Sequence, residues 1–466
     1  MNRQEIIAQL VEARLEKNIS QAELARMIGT QRSNICRLEN GAQNPSLDMI
    51  LRIANALDKQ VSISLEDKES DATNIYSLRI YDTELIRFAM GKRGLEGLVA
   101  EILTIHQEFA HLMPLDLECT NEGIIKWLER RVIPKNRAFV DEILKTLGLS
   151  HNDTKGIIDV CKGLSLNDSY WIVPDGFEGK FRQFNLYENR FSEMLALVAY
   201  TGAGQSRAAF TTSPELTTNG MLPKAWRFID DEGIYLYKGG SSGASNTGRE
   251  PYCEYYASQI AETMRLNAVH YELENWKGIT ASKCALFTDT ETSYIPIGRI
   301  IQGGGIQKCL DYYDGLGVEF GEQIRSMLVF DALIYNEDRH FGNFGVLRNN
   351  HTGEIIAPAP IFDNGLSLLC YAGDAELSDF ERLKAYAATR TTPYRLSFEE
   401  ICGAVMGAKQ KEQLRRMIGF QFKRHPSLNF SEEHLQALEH ILELRTRQLL
   451  AMPTQSHTIK HSKNTR

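Results

Sequence analysis

Tyr335-Asn336-Glu337-Asp338-Arg339-His340-Phe341-Gly342-Asn343 follows the apolar helical run IRSMLVFDALI (324–334). The stretch reads as an irregular loop carrying Asp338 and Asn343 five positions apart. Twenty residues beyond comes Ile361-Phe362-Asp363-Asn364-Gly365. Moving a phosphoryl group from a nucleotide to a hydroxyl needs few protein groups. One carboxylate accepts or orients the hydroxyl, while an amide oxygen and a second carboxylate hold Mg²⁺ on the phosphates. Asp338, Asn343 and Asp363 supply that set in the order D-x-x-x-x-N then D-x-G.

Working outward, such chemistry also calls for a strand lysine on the phosphates, oriented by a helix glutamate. GIYLYKGG (233–240) alternates as a strand and carries Lys238, and the helical pattern around EYYASQIAETM (254–264) offers Glu254. Immediately before that strand, TTSPELTTNGMLPKAWR (211–227) is a Ser/Thr-rich loop with Gly220 and Lys224, suited to cradling phosphate with backbone amides. Each piece alone is commonplace, since isolated DxxxxN segments cap loops and strand lysines are usually solvated. Order and spacing together give the pattern its weight. Two nearby features take a plainer reading. His340 is expected to pack behind the loop and order it through a hydrogen bond. Gly303-Gly304-Gly305 is expected to lack a following helix and lacks a Lys-Ser/Thr pair, so it is not read as a nucleotide-binding P-loop.

The remaining sequence is that of an ordinary globular protein. Of 466 residues, 43% are apolar and 24% charged, which excludes disordered, collagenous and coiled-coil classes. No apolar run approaches the roughly 20 residues of a membrane span, and the start, MNRQEIIAQLVEARLEKN, is amphipathic and charged, unlike a signal peptide. A membrane partner is not expected, and a cytoplasmic location is. The eight cysteines are scattered without a CxxC pair, consistent with reduced core thiols. With 52 Lys+Arg against 60 Asp+Glu the net charge is -8, so nucleic-acid binding would come from a local patch.

Such a patch is legible at the amino terminus. Ile6, Ile7, Leu10, Val11 and Leu15 recur at helical spacing, and Ser20-Gln21-Ala22-Glu23 forms a capping box. Gly29 ends that second helix, and Thr30 is read as the cap of a third, QRSNICRLEN, running to Gly41. Pro45-Ser46 opens a fourth with Leu47, Ile50, Leu51, Ile53, Ala54 and Leu57 as its apolar stripe. Two capped helices across a tight turn describe a helix-turn-helix. Gln31, Arg32, Ser33, Asn34 and Arg37 are then the residues placed to meet base edges and phosphates. Residues 1–59 carry eight basic and seven acidic side chains, so one copy should bind DNA weakly and a homodimer on two half-sites is expected.

This amino-terminal segment resembles the Xre/Cro family of DNA-binding domains over residues 5–58. Farther on, N-E-D-R-H-F-G-N followed by F-D-N-G resembles the HipA-like Ser/Thr kinases of bacterial toxin–antitoxin systems, and more distantly the phosphatidylinositol kinases, which share D-R-H-x-x-N. LSLNDSYW (164–171), NLYENRF (185–191), SPELTTNG (213–220) and LPKAW (222–226) strengthen the likeness over about 155–450.

The resemblance implies ATP and Mg²⁺ as cofactors. It makes Asp338 the catalytic base, Asn343 and Asp363 the metal ligands, and Lys238 the ATP-contacting lysine with Glu254 its partner. Lys283-Cys284-Ala285-Leu286-Phe287 is implied as the adenine hinge. The family's phosphate loop, Ser-x-x-Gly-x-x-x-Lys, reads here Thr217-Thr218-Asn219-Gly220-Met221-Leu222-Pro223-Lys224, implying autophosphorylation at Thr217. It further implies a protein substrate, such as the translation machinery.

The expected fold class is multidomain α+β: a small all-α helix-turn-helix domain, then a two-lobed kinase-like region with a helical C-lobe. The expected divisions are 1–66 as DNA-binding domain, 67–74 as linker, and 75–190 as the amino-terminal subdomain of the HipA-like region. Residues 191–290 follow as N-lobe with the phosphate loop, 291–451 as helical C-lobe, and 452–466 as a disordered basic tail. KQVSISLED (59–67) alternates as a short strand, and 336–365 reads as irregular. Two other functions fit parts of the pattern: a lipid or small-molecule kinase, and a non-catalytic, nucleotide-sensing repressor. Joining the operator reader to the kinase implies that binding and catalysis are coupled, with restraint of the kinase in cis.

Overall fold

The computed structural model describes residues 3–40, 45–59, 61, 74–92, 97–203, 212–243 and 246–454. Most of the strand expected at 59–67, nearly all of the linker at 67–74 and most of the tail at 452–466 lie outside them. The chain divides into two compact units, Met1–Ser70 and Asp71–Arg466.

Among the described residues the first unit has four helices, α1 (Arg3–Glu16), α2 (Gln21–Met27), α3 (Arg32–Glu39) and α4 (Leu47–Ala56). The Ser20 box closes as read: Ser20 Oγ accepts from Glu23 N at 3.2 Å and Ser20 N donates to Glu23 Oε2 at 3.2 Å. Gly29 (φ +66°) turns the chain, and Thr30 N returns to Ala25 O at 2.8 Å. Thr30 is not the cap of α3. Gln31 holds that position without a side-chain bond, and Thr30 Oγ1 instead accepts from Asn34 Nδ2 at 3.0 Å. Ser46 caps α4 by accepting from Met49 N at 3.2 Å.

Leu24, Ala25, Ile28, Ile35, Leu38, Ile53 and Leu57 form the core. Leu15, Leu47 and Leu51 of the expected apolar stripes are exposed, because two short helices cannot cover so wide a face. Arg14 and Glu39 join α1 to α3 through Nε–Oε1 (2.6 Å) and a second bond of 2.8 Å.

Among the described residues the second unit has three antiparallel sheets. β1 (Asn74–Ile80), β2 (Thr83–Lys92), β3 (Leu98–Ile105) and β4 (Tyr170–Pro174) form a sheet in the order β3-β2-β1-β4. Its apolar side, including Leu78, Phe88 and Tyr170, packs on Trp127 and Ile158 of the helices Asn121–Glu129 and Thr154–Cys161. The helix Glu193–Thr201, expected to open the next lobe, buries Leu195, Val198 and Ala199 against Val140, Ile143 and Leu144 of the helix Val140–Thr146.

β5 (Lys224–Ile229), β6 (Gly233–Lys238), β7 (Glu272–Trp276) and β8 (Ile279–Ala285) form the second sheet, ordered β5-β6-β8-β7. β7 and β8 are joined through Lys277 and Gly278, both at positive φ (+56° and +80°), as a two-residue hairpin requires. β9 (Thr292–Pro296), β10 (Gly345–Asn349) and β11 (Ile355–Pro358) make the third sheet, ordered β11-β10-β9. The segment expected to be irregular at 336–365 thus contains a hairpin. Its strands have only five and four residues, too short to show a period beside the polar turn Asn349–Gly353.

Helices dominate the rest, around Val318–Ile334, whose buried residues fall on every side as befits a central helix. Contrary to expectation, a helix does follow the glycine run: Gly305–Leu316 begins within it, with Gly304 at φ +88° as its N-cap. The missing Lys-Ser/Thr pair still sets that turn apart from a P-loop.

Candidate active site

β5 and β6 pair so that Lys224 lies directly opposite Lys238, which ends β6. Two ammonium groups therefore face the same cleft from adjacent strands. The helix Glu250–Met264 presents Glu254 to the second of them. Lys238 Nζ donates to both Glu254 Oε1 and Asp363 Oδ1. The other oxygen of Glu254 accepts from Asn364 N at 2.8 Å. One carboxylate thus joins the strand lysine to the segment that carries Asp363.

Asp363 itself is held at φ +60°, a left-handed conformation that Asp tolerates better than most residues, with its N–H donating to Tyr271 Oη at 3.2 Å.

The helix Val318–Ile334 ends at Tyr335 (φ +54°), and the chain reverses into the loop of Asp338 and Asn343. Asn343 Nδ2 donates to Asp338 O at 3.0 Å, and Asp338 N to Asn336 Oδ1 at 3.1 Å. Behind the loop lies Arg339, 1% exposed. Its guanidinium reaches Asp331 Oδ2 (Nε, 3.0 Å), Asn343 O (Nη1, 3.0 Å), Phe362 O and Asn364 Oδ1 (Nη2, 2.6 Å). One buried cation therefore fixes the loop and the Asp363 segment relative to each other. That was the place expected for His340. His340 is instead exposed, and its Nδ1 accepts from Gly342 N at 3.0 Å.

These groups open onto a cavity of about 870 Å³. Asp338, Asn343, Asp363, Lys238, Glu254, Gly220, Lys224, Leu286, Phe287 and Thr217 all line it. Lys283 does not. Alternate residues of β8 face opposite ways, so Ser282 and Cys284 turn to the cavity. Lys283 lies on the other side, its Nζ 4.5 Å from the Tyr235 ring centroid and 3.5 Å from Glu232. Phe287, Tyr294 and Phe362 make an aromatic triangle on the cavity wall, with ring centroids 5.4 to 5.5 Å apart. Thr217 is buried, and its Oγ1 donates to Leu164 O at 2.9 Å.

The charges act on one another. Burial favours a neutral Asp363, but the ammonium groups of Lys238 and Lys224 outweigh it and hold the carboxyl well below the usual carboxylate range. Burial likewise opposes the Lys238 charge, and the carboxylates of Asp363 and Glu254 override it, holding Lys238 above the usual lysine range. Among the described residues Lys224 has no such close partner, and burial followed by repulsion from Lys238 pushes it down to about 8. Burial raises Asp338, a shift opposed by His340 and reinforced by the Asp363 carboxylate.

Arg339, Asp331 and Tyr271 brace the cleft segments and are positions that the sequence reading passed over. The lone acid inside an otherwise apolar run, Asp331 in IRSMLVFDALI, was the available signal, because a buried carboxylate needs a partner.

In the first unit Arg32, Ser33 and Arg37 of α3 and its N-cap Gln31 are exposed, while Asn34 is half-buried. Arg37 Nη2 donates to Asn34 Oδ1 at 3.1 Å.

Comparison with known proteins gives a match of residues 10–63 to a family model described as helix-turn-helix. No curated protein matches the chain. Among solved structures it is similar to the Helicobacter pylori proinflammatory kinase CtkA, with TM-score 0.42 and 21% identity over 50% of this chain and 90% of that one. It is also similar to the toxin–antitoxin complex of HipA, HipB and operator DNA from Shewanella oneidensis MR-1, with TM-score 0.48 and 11% identity over 81% of this chain and 98% of that one.

Proposed function

We propose that residues 74–454 act as an ATP- and Mg²⁺-dependent Ser/Thr protein kinase, joined in one chain to a helix-turn-helix domain that reads operator DNA. The observation that carries the reading is the convergence on one cavity of the Lys238–Glu254 pair, Asp363 and the Asp338/Asn343 loop.

The donor set suits Mg²⁺. Asp363 and Asn343 offer oxygen only, and because Asn343 Nδ2 is spent on Asp338 O, its Oδ1 is the atom left to accept. Among the described residues no cluster of three His, Cys, Asp or Glu is placed to hold a metal. When bound, Mg²⁺ would neutralise charge on the phosphates.

The chain's own groups supply the rest. Lys238, locked between two carboxylates, and Lys224, without one among the described residues, provide two positive charges for the phosphates. The aromatic triangle of Phe287, Tyr294 and Phe362 offers an apolar wall for a base. Asp338, raised by burial, is suited to take the proton of an incoming hydroxyl. A protein substrate, a homodimer on two half-sites and a cytoplasmic setting belong to the same reading. No helix among the described residues is long and apolar enough to cross a membrane.

The test is transfer from γ-labelled ATP by the purified chain and its Asp338→Ala variant. Label on protein with the unaltered chain alone supports the proposal. Label confined to lipid or small-molecule fractions favours the other kinase reading, and no label with either protein would sink both.

A further inference from the structure

We propose that Arg137 is a positioning residue for the phosphate loop, fixing both ends of it from the subdomain that precedes the cleft. The inference rests on the nucleotide-binding reading above.

Arg137 lies between the helices Asn121–Glu129 and Val140–Thr146, far from the loop in sequence, yet its side chain and that of Glu215 are both 0% exposed. Its Nη1 donates to Glu215 O at 2.6 Å and to Thr218 O at 3.3 Å. Its Nη2 donates to Lys224 O at 3.0 Å and to the Glu215 carboxylate. The remaining oxygen of that carboxylate accepts from Trp226 N at 2.7 Å. The entry to the loop, at 215 and 218, and its exit, at 224 and 226, are thus gathered on one ion pair. The next residue but one to Asn136, Ala138, donates its N–H to Met221 O at 2.9 Å, supporting the middle of the loop.

What these bonds hold in place is the part of the cleft with least regular structure. Between Leu216 and Lys224 the chain is neither helix nor strand. It carries Gly220 at φ +98°, where an added Cβ would lie 2.1 Å from Lys224 Nζ. Loop and lysine therefore fit each other only while the two ends keep their spacing. A planar guanidinium can reach several acceptors at once in fixed directions, whereas an ammonium on a flexible stem cannot reproduce the fork. Arg137 should accordingly govern binding of the phosphates and leave the base-binding wall unaffected.

The experiment measures binding of Mg·ATP and of adenosine to the full-length chain by calorimetry, for the unaltered protein and for Arg137→Lys. A second variant, Arg137→Met with Glu215→Gln, removes both buried charges while keeping an acceptor for Trp226 N, and it serves if the first fails to fold. The expected result is roughly tenfold weaker ATP binding with adenosine affinity unchanged, and in turnover a rise in KM for ATP larger than any fall in kcat. Unchanged binding of both ligands, or an equal loss of both, overturns the proposal. If the unaltered chain binds no ATP, the nucleotide reading of the cleft falls first and takes this proposal with it.

Discussion

Lys238 and Glu254 form an ion pair whose side chains are 9% and 1% exposed, and the same lysine also holds Asp363. Removing one member of a buried pair leaves the other charge desolvated and uncompensated, at a typical cost of about 3–5 kcal/mol. Glu254→Ala should lose stability on that scale in denaturant unfolding and should also weaken ATP use. Glu254→Gln retains an acceptor for Asn364 N and should lose less stability. Equal stability of Glu254→Ala and the unaltered chain would show the pair to be energetically idle.

Asp338 presents a different case, because its backbone is anchored while no hydrogen bond to its carboxylate is found among the described residues. Asp338→Asn keeps the shape and removes the proposed base. Transfer should fall by about 10²–10⁴-fold with the thermal midpoint nearly unchanged. A fall in stability matching the fall in rate would make the residue structural.

Lys224 predicts a pH dependence. Burial and the neighbouring Lys238 disfavour its charged form, so its pKa is pushed down to about 8, below the value in an unfolded chain. Between those two values the unfolded chain binds more protons, so this lysine's penalty on folding is present below about pH 8 and is relieved as pH rises. A triphosphate favours the protonated form, so binding should run the other way. Affinity for Mg·ATP should decline as pH rises through about 8. Lys224→Arg should hold its affinity across that range, and an identical decline in that variant would refute the assignment.

Arg339 joins Asp331, Asn343, Phe362 and Asn364 through one guanidinium. Arg339→Lys retains the charge against Asp331 but cannot bridge four partners. It should fold, bind ATP within a few-fold of normal, and lose mainly kcat, because the loop and the Asp363 segment are no longer held in register. A change confined to KM would contradict this.

On the helix-turn-helix, Arg32 and Arg37 are exposed cations at the start and in the last turn of α3. Arg32→Ala and Arg37→Ala should weaken binding to a duplex selected from random sequence. Each lost phosphate contact should lower the slope of log affinity against log salt by about 1. Phosphoryl transfer should be unaltered, and unchanged DNA affinity in both variants would place the interface elsewhere.

The parts of this protein legible in its sequence are those written in local chemistry. Ser20, Glu23, Gly29 and Ser46 announce helix ends because caps and left-handed turns are satisfied within a few residues. Asp338, Asn343 and Asp363 stand close enough along the chain for their spacing to carry meaning, and Lys238 ends a strand whose alternation is visible. What the tertiary structure alone decided involves partners far apart in sequence. The family resemblance implies Lys283 at the adenine hinge, yet strand pairing turns Ser282 and Cys284 inward and Lys283 away. His340 and Arg339 are adjacent, and only the burial of Asp331 settles which of them goes inside. Arg137 reaches the phosphate loop across 78 positions to Glu215. No period or motif records such a bond, because a buried charge finds its partner through the packing of whole elements, which fixes distance in space and leaves no trace in spacing along the chain.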